Sequence, residues 1–168
     1  FNSKKRLEDT YNILADDLYE TNINVYMNKK GIKCLKNAED KSIVLGSKGF
    51  FEGVDVPGDG LVFVTLDKLP NLNPTDPLYF SIMTKFNKNY FDVNYPQMII
   101  KVKQALGRLL RSKYDYGVFV LFNMGNSTYI NKKLENNLHG CIITEANRNN
   151  IQRYIYHHLK KSRKEVIT

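Results

Sequence analysis

Cysteine, histidine and tryptophan are scarce in this chain of 168 residues, which contains two, three and none of them, respectively. Cys34 and Cys141 belong to no CxxC pair and have no metal-ligand neighbours at zinc spacing, so two reduced thiols are expected rather than a disulfide framework or a zinc site. His139 stands alone, and the adjacent His157 and His158 diverge on a helix. The sequence therefore predicts no metal site.

Long apolar runs are also absent. No stretch approaches the roughly 20 apolar residues that a membrane-spanning helix requires. The first five residues, Phe-Asn-Ser-Lys-Lys, have no signal-peptide pattern. These absences predict a cytoplasmic protein with no membrane partner.

Acidic residues are outnumbered by basic ones, 17 to 25, which gives a net charge of +8 and a pI near 9.4. Lysine and arginine gain affinity for a polyanion by displacing counterions from its phosphates, so the charge favours a nucleic-acid partner. A hydrophobic fraction of 42% and a charged fraction of 25% are typical of a globular protein. The length suits one domain with a real core.

Short apolar runs alternate with amphipathic segments along the chain. Continuous apolar strands between helices predict an α/β fold, with a parallel sheet covered on both faces. Strands are predicted at residues 23–27, 42–46, 61–66, 117–122 and 141–144. Helices are predicted after a Ser3 cap, from Pro77 (capped by Asp76) to about Lys88, at 97–111, at 126–137 and after a Thr144 cap, with a connector at 89–96.

The chemically densest stretch is residues 97–111, Gln-Met-Ile-Ile-Lys-Val-Lys-Gln-Ala-Leu-Gly-Arg-Leu-Leu-Arg. Wound at about 100° per residue, it gathers five of its amides and cations within roughly 80° and most apolar residues elsewhere. Gly107 borders this polar row and costs about 1 kcal/mol relative to alanine, so a phosphate is expected to approach the backbone there. A merely solvated basic face is the alternative. The polar row consists of Gln97, Lys101, Gln104, Arg108 and Arg111.

A glycine-containing loop, residues 47–58, follows the apolar run at 42–46 and reads Ser-Lys-Gly-Phe-Phe-Glu-Gly-Val-Asp-Val-Pro-Gly. In parallel α/β sheets the functional loops lie at the carboxyl ends of the strands, and this loop has that position. Its residues also have structural interpretations: Gly53 and Gly58 can shape turns, and Asp55 can stabilise one. Phe50 and Phe51 are interpreted as core residues rather than as base-stacking platforms.

The loop and the second half of the polar helix together resemble the second motor domain of DinG/XPD-like superfamily 2 helicases. The resemblance covers most of the chain up to Phe122 and weakens beyond it. Residues 47–58 look like motif V of that family, and residues 104–111 (Gln-Ala-Leu-Gly-Arg-Leu-Leu-Arg) look like its motif VI. Residues 1–3 look like the close of its motif IV. Two linking segments are also similar to that family: Asp-Lys-Leu-Pro at 67–70 and Asn-Pro-Thr-Asp-Pro at 73–77.

The resemblance implies a RecA-like three-layer domain over residues 1–168, with a mostly parallel sheet and helices on both faces. Such a domain closes over ATP held by the N-terminal motor domain of the same protein and translocates 5′ to 3′ on single-stranded DNA. A well-placed arginine is worth about 10³ to 10⁵ in phosphoryl-transfer rate, and lysine lacks its planar fork. The implied roles are catalytic for Arg108, Arg111 and Gln104, nucleotide-binding for Gly49, Glu52, Asp55 and Gly107, and nucleic-acid-binding for Ser3, Ser47, Lys48 and Lys68.

The sequence contains no GxxxxGK[ST] phosphate loop, no Asp-Glu pair after a strand and too few cysteines for a four-cysteine iron–sulfur cluster. In the family these features belong to the other motor domain. ATP and Mg²⁺ would therefore be held mainly there, and this chain alone would not hydrolyse ATP. Phe1 is not an initiating residue, so a fragment of a longer helicase is expected. Asn123-Met-Gly-Asn departs from the Asp-x-Arg that many relatives place after this strand.

Other functions remain open. A non-catalytic nucleic-acid-binding domain would use the same basic row only to hold phosphates. The motor could also serve a helicase–nuclease whose nuclease lies outside these residues. A Rossmann-type enzyme is disfavoured because GxGxxG is absent. The basic segment 160–164 could touch nucleic acid, although a solvated, fraying end is the simpler interpretation, and Lys68 could be an ordinary surface lysine.

Overall fold

The fold is that of a computed structural model, which describes residues 1, 3–36, 41–51, 56, 60–110, 115–122 and 128–167. None of the helices in these ranges combines the length and the apolar character needed to cross a bilayer. The elements, in chain order, are α1 (Lys4–Asp17), β1 (Asn24–Met27), α2 (Ile32–Leu35), β2 (Ser42–Leu45), β3 (Phe63–Leu66), α3 (Pro77–Lys85), α4 (Tyr90–Leu109), β4 (Val118–Leu121), α5 (Thr128–Asn137) and α6 (Ile151–Ile167), with 3₁₀ turns at Asn28–Gly31 and Lys48–Phe51.

All strand pairing among the described residues is parallel. β1 lies beside β2, with Asn24 opposite Ser42, and β3 lies beside β4, with Phe63 opposite Val118. Parallel neighbours need a crossover connection, and each pair here is joined through helical segments. α1 packs against β1, whereas α4 packs against both β3 and β4. The predicted α/β class with parallel strands is confirmed.

The two strand pairs come together at their carboxyl ends, around the start of α1. The backbone nitrogen of Phe1 donates a hydrogen bond to the carbonyl oxygen of Gly46, directly after β2, at 2.7 Å. The Arg6 guanidinium, in the first turn of α1, lies 3.7 Å from the carboxylate of Asp67, directly after β3. The start of α1 therefore lies between the ends of β2 and β3, at the edge where functional loops are expected.

α4 is the centre of the hydrophobic core. Met98 and Val102 on its inner face are 1% and 0% exposed. The predicted division of this helix into an apolar and a polar side is confirmed, except at its end. Leu110 was expected on the apolar side, but α4 ends at Leu109, and Leu110 has an extended backbone and is 40% exposed. The buried cluster comprises Leu66, Leu69, Met98, Ile99, Val102, Ala105 and Leu134.

α4 begins at Tyr90 rather than near Gln97, so the predicted connector at residues 89–96 is wrong. Asn89 and Asp92 form a reciprocal cap: the Asn89 Oδ1 accepts from the Asp92 N–H at 3.0 Å, and the Asp92 carboxylate accepts from the Asn89 N–H at 3.2 Å. Pro96 lies inside the helix, where a proline costs about 3 kcal/mol. The cap and the burial of the inner face offset that cost.

The C-terminal part of the chain also departs from the prediction. Residues 141–144 belong to no strand in the described structure, and Ile142 is 84% exposed. Thr144 caps no helix, since α6 begins at Ile151 after a turn built by asparagines. In that turn the Asn147 carbonyl accepts from the Ile151 N–H at 3.0 Å, and the Asn150 Oδ1 accepts from the Asn147 N–H at 2.8 Å. Local side-chain hydrogen bonds, which hydrophobic periodicity does not reveal, set this boundary.

A buried asparagine fastens the loop after β3 to α4. The Asn94 side chain is 5% exposed; its Oδ1 accepts from the Leu72 N–H at 2.7 Å, and its Nδ2 donates to the Asn71 Oδ1 at 2.9 Å. The Tyr90 hydroxyl donates to the Leu72 carbonyl at 2.8 Å. Leu69 and Leu72 are buried beneath this loop. The segment between β3 and α3 is therefore held in one conformation from both its polar and its apolar sides.

We expect Asn94→Ala to loosen this loop while α4 persists. The substitution leaves the Leu72 N–H buried without its acceptor, which costs about 1–3 kcal/mol and corresponds to roughly 5- to 160-fold faster amide exchange in residues 69–75. Hydrogen–deuterium exchange with mass spectrometry measures this directly in the complete protein. Asn12→Ala, at an exposed position of α1, is the matched control and should leave the loop unchanged. Unaltered exchange in the Asn94 variant would show that the Asn94 hydrogen bonds do not hold this loop in place.

Candidate functional site

The Lys48–Phe51 turn and α4 are neighbours in the fold. The turn directly follows β2 and is closed by the Phe50 N–H, which donates to the Ser47 carbonyl at 2.9 Å. Cα atoms of this turn lie within 8 Å of Cα atoms of α4. The start of the glycine-containing loop and the polar helix, which are separated by β3 and α3 in the chain, therefore contact each other just after the carboxyl end of β2.

The turn is anchored by an aromatic ring on a glycine. The Phe50 ring lies so close over Gly46 that a Cβ at that position would collide with it. Phe50 is half-buried in this position and packs within the fold, as predicted. The side chain of Phe51 lies outside the part of the structure that is described. Gly46 is thus required by internal packing, and the turn has a defined starting point.

Gly49 and Gly107 have the opposite surroundings. Both are exposed, and a Cβ at either would meet no atom within 4 Å among the described residues. Gly107 lies in the interior of α4, where glycine costs about 1 kcal/mol relative to alanine. The close approach expected at Gly107 is therefore not made by the described part of this chain.

The polar row on α4 borders Gly107. Gln104 is exposed, while Lys101 and Arg108 are half-buried, with Arg108 in the last helical turn. Three members of the predicted site fall outside the described residues: Arg111, Glu52 and Asp55. Whether Arg108 and Arg111 face the 52–55 segment therefore stays a prediction.

Ser3 lies at the same edge of the sheet. Its side-chain oxygen accepts from the Arg6 N–H at 3.4 Å and caps α1, as predicted. The hydroxyl hydrogen is not used by this bond and can donate to another acceptor. Because the Phe1 nitrogen binds the Gly46 carbonyl, Ser3 and the exposed Ser47 both follow chain segments that meet at Gly46. Two predicted nucleic-acid contacts are thus brought to one neighbourhood.

Comparison with known proteins accounts for this arrangement. The sequence profile described as the helicase C-terminal domain matches residues 1–142. This chain belongs to the helicase C-terminal domain family. The match includes the turn, α4 and both strand pairs, and it ends before α6. The predicted resemblance to the C-terminal domain of DinG-like helicases is confirmed.

Curated relatives carry the same DinG name. The protein called 3′-5′ exonuclease DinG from Staphylococcus epidermidis is 39% identical over 95 residues, which cover 55% of this chain and 10% of that protein. The protein of the same name from Staphylococcus aureus strain MSSA476 is 36% identical over 97 residues, covering 56% of this chain and 11% of that protein. The chain therefore spans about a tenth of the length of these relatives.

Lys68 of this helicase domain lies on the clamped loop after β3. It is half-buried between Asp67, which faces Arg6, and the buried Leu69 and Pro70. The backbone position of Lys68 is consequently fixed by the packing of its neighbours and by the hydrogen bonds that Asn94 makes to Asn71 and Leu72. The nucleic-acid-binding role of Lys68 stays a prediction.

Sequence reasoning missed Asn94 and Tyr90, the two residues that hold this loop. They lie before Pro96, in the stretch interpreted as a connector, and the proline hid the helical spacing of four between them. Burial raises the pKa of the Tyr90 phenol, which moves it further from neutral pH, where a tyrosine is in any case a protonated donor. The signal that could have revealed the helix was the Asn89–Asp92 capping pair.

The site residues carry no metal cluster in the described ranges: no three His, Cys, Asp or Glu side chains are close enough there to hold an ion together. The structure places the turn that contains Gly49, with Ser47 directly before it, in contact with α4, the helix that carries Gln104, Gly107 and Arg108. The roles assigned to these residues and to Lys48 and Lys68 stay predictions.

We expect Gly46→Ala to disrupt the turn and Gly49→Ala to leave it intact. The added methyl at Gly46 overpacks the Phe50 ring, which costs about 1–3 kcal/mol, whereas the methyl at Gly49 enters open space. Amide exchange of residues 42–51 in the complete protein measures both effects. The double variant Gly46→Ala/Phe50→Ala removes the collision and should recover part of the lost protection. Equal exchange in the two single variants would show that the ring does not anchor the turn.

Proposed function

We propose that this chain is the second motor domain of an ATP-dependent DNA helicase that translocates on single strands. The observation that carries the proposal is the contact between the Lys48–Phe51 turn and α4 in a domain of the helicase C-terminal family. The turn belongs to the segment similar to motif V and the end of α4 to the segment similar to motif VI. We expect the complete protein to be cytoplasmic.

In this proposal the polar row of α4 serves ATP that is bound, with Mg²⁺, mainly by a first motor domain of the same protein. Arg108, on the last turn of α4, supplies a planar guanidinium that can bind two phosphate oxygens at once. Arg111 acts beside it as the second arginine finger, and Gln104 lies one helical turn before Arg108. Phosphoryl transfer spreads charge over the equatorial oxygens, and a fixed cation there lowers the barrier.

The two open glycines fit the same partner. At Gly49 and Gly107 the absence of a Cβ leaves the backbone accessible to a bulky anion, and the structure offers no competing internal contact within 4 Å in its described part. Glu52 and Asp55 complete the nucleotide side by resemblance to motif V. Their carboxylates would couple the loop to the two arginines.

The nucleic acid is held, in this proposal, by residues that lie close after β2 and β3 or beside the start of α1. Ser3 keeps a free hydroxyl hydrogen for a phosphate, Ser47 is exposed, and Lys68 stands on a loop whose conformation is fixed by Asn94. Lys48 lies between Ser47 and the open Gly49. Because the Lys48–Phe51 turn contacts α4, a change of position at the nucleotide can move the groups that hold the strand. ATP-driven opening and closing of two lobes would then ratchet single-stranded DNA.

A motor half of a helicase–nuclease is the second candidate. The relatives that match this chain are named 3′-5′ exonuclease DinG, and the chain covers about a tenth of their length. A nuclease in the complete protein would therefore have room outside these residues. Exonuclease assays on the complete protein, with and without ATP, distinguish this candidate from a helicase alone.

A domain that only binds nucleic acid would use the same basic row to hold phosphates, but its arginines would not assist ATP hydrolysis. It would show salt-dependent binding without any effect of ATP. In the motor proposal the isolated domain is inactive as an ATPase, because its arginines need the nucleotide of the other lobe.

We expect Arg108→Ala in the complete protein to lower DNA-stimulated ATP turnover by about 10³ or more, while DNA affinity stays nearly unchanged. Arg108→Lys should also be strongly impaired, because an ammonium cannot reproduce the bidentate contact. Steady-state ATPase assays and fluorescence anisotropy measure the two quantities. Lys103→Ala is the control, since this exposed cation lies on the same helix but outside the polar row. Turnover near the wild-type rate in the arginine variants would refute the role.

Gly107→Ala separates stability from function. We expect the variant to be as stable as the wild type or up to about 1 kcal/mol more stable, because alanine is the better helix former and no described atom opposes its methyl. ATP turnover should nevertheless fall at least tenfold, since the methyl blocks the group that approaches from outside. Thermal unfolding and ATPase assays provide the readouts. Full activity would mean that nothing approaches this backbone closely.

A further inference from the structure

The C-terminal helix carries a concentration of positive charge outside the matched family region. Between Ala146 and Lys164 the sequence contains six cations and no acidic residue: Arg148, Arg153, Lys160, Lys161, Arg163 and Lys164. The family match ends at residue 142, so this segment is not part of the motor motifs. Glu145 and Glu165 flank the segment, so cations outnumber carboxylates by six to two between residues 145 and 165.

The structure gives α6 two distinct faces. Ile151 and Ile155 are half-buried and line, together with Phe119 and Leu121 of β4, a largely apolar cavity of about 950 Å³. α6 also packs against β4. The inner face is therefore directed toward the body of the domain, and it fixes which side of the helix faces solvent.

The opposite face combines cations with an aromatic ring. Arg153, Tyr156 and Lys160 are spaced i, i+3 and i+7, which places them on one side of the helix. All three are exposed, Tyr156 at 68%. The Lys160 Nζ lies 5.7 Å from the centroid of the Tyr156 ring. We call this set the α6 outer face.

We propose that the α6 outer face binds single-stranded DNA as an accessory site, separate from the Ser3, Ser47, Lys48 and Lys68 contacts of the proposed motor. Arg153 and Lys160 are about 10 Å apart along the helix axis and contact backbone phosphates, and Tyr156 between them offers a platform on which a base stacks. Alternating cations and an exposed aromatic ring suit a single strand better than a duplex, whose bases are already stacked. The site extends the contact that the motor makes with the strand.

A membrane surface fits the same helix less well. A basic amphipathic helix binds lipid by inserting its apolar face between the headgroups. The apolar face of α6 is instead directed at β4, and the exposed side holds Tyr156 between two cations. The large exposed hydrophobic side chains on the described part of α6 are the aromatic Tyr154 and Tyr156, so the charge is displayed beside rings that can stack on bases.

The test uses the complete protein and a fluorescein-labelled oligothymidylate. Arg153→Glu/Lys160→Glu should weaken binding about tenfold near physiological salt and reduce the slope of log affinity against log salt by about 1.4, the value for two lost phosphate contacts on a single strand. Tyr156→Ala should weaken binding with little change in that slope. Lys33→Glu/Lys132→Glu, two exposed cations on α2 and α5, gives a matched charge change and should have a much smaller effect.

Further measurements exclude indirect effects. Amide exchange of β4 in the complete protein shows whether α6 still packs, and Arg153→Gln/Lys160→Gln should give the same direction of change with a smaller size. ATP turnover at saturating DNA should be unchanged, with only the DNA concentration for half-maximal turnover raised. The DNA-affinity measurement tests the α6 outer face even if the complete protein has no ATPase activity. The accessory-site proposal and the proposed motor function can therefore fail independently. Equal losses in the control variant, an unchanged salt slope, or tighter binding of a matched duplex would overturn it.

Discussion

Burial of one face of α4 is the constraint on which the site depends. Met98 and Val102 are almost completely removed from solvent, and each fully buried side chain of this kind contributes about 1.5–3 kcal/mol. Rotating the helix to turn its cations elsewhere would expose these residues to water. The hydrophobic core therefore fixes the direction of Gln104, Gly107 and Arg108, which have no comparable energetic weight of their own. The buried side of α4 thus determines where the functional side chains on its opposite side lie.

The same helix contains two features that weaken an isolated helix, Pro96 and Gly107. Each costs free energy locally, and neither is needed by the hydrophobic pattern. Asn94 shows how such costs are tolerated: it is buried and polar, yet its Oδ1 and Nδ2 are each satisfied by the loop after β3. A satisfied polar group in a core specifies a single partner segment, whereas an apolar residue could pack against several. The clamp thus gives the Lys68 loop a defined place on α4.

The sequence supported the main outlines because they depend on periodicity. Strands at 42–46 and 117–122 and the inner face of α4 follow from apolar spacing alone, and their locations were predicted within a few residues. The errors occurred where hydrogen bonds override that spacing. Pro96 suggested a connector, but a capping pair and Asn94 extend the helix past it. Ile142 and Ile143 suggested a strand, yet with no partner strand beside them in the described structure they stay exposed.

The candidate site was predictable for a different reason. Its signal lay in residues whose presence the fold does not explain: Gly46 is required by the Phe50 ring, but Gly49 and Gly107 meet nothing within the described chain. We interpret a glycine that costs helix stability and meets no atom of the described residues as part of a surface shaped for a partner. This inference favours an external ligand over a merely solvated basic face, because solvent would accept alanine equally well. The inference of a ligand does not depend on ATP hydrolysis, for which an arginine is needed as well. The accessible glycine backbone and the nearby guanidinium therefore have separate roles. The first admits an anion, and the second stabilises the charge that develops when a phosphate bond of that anion breaks.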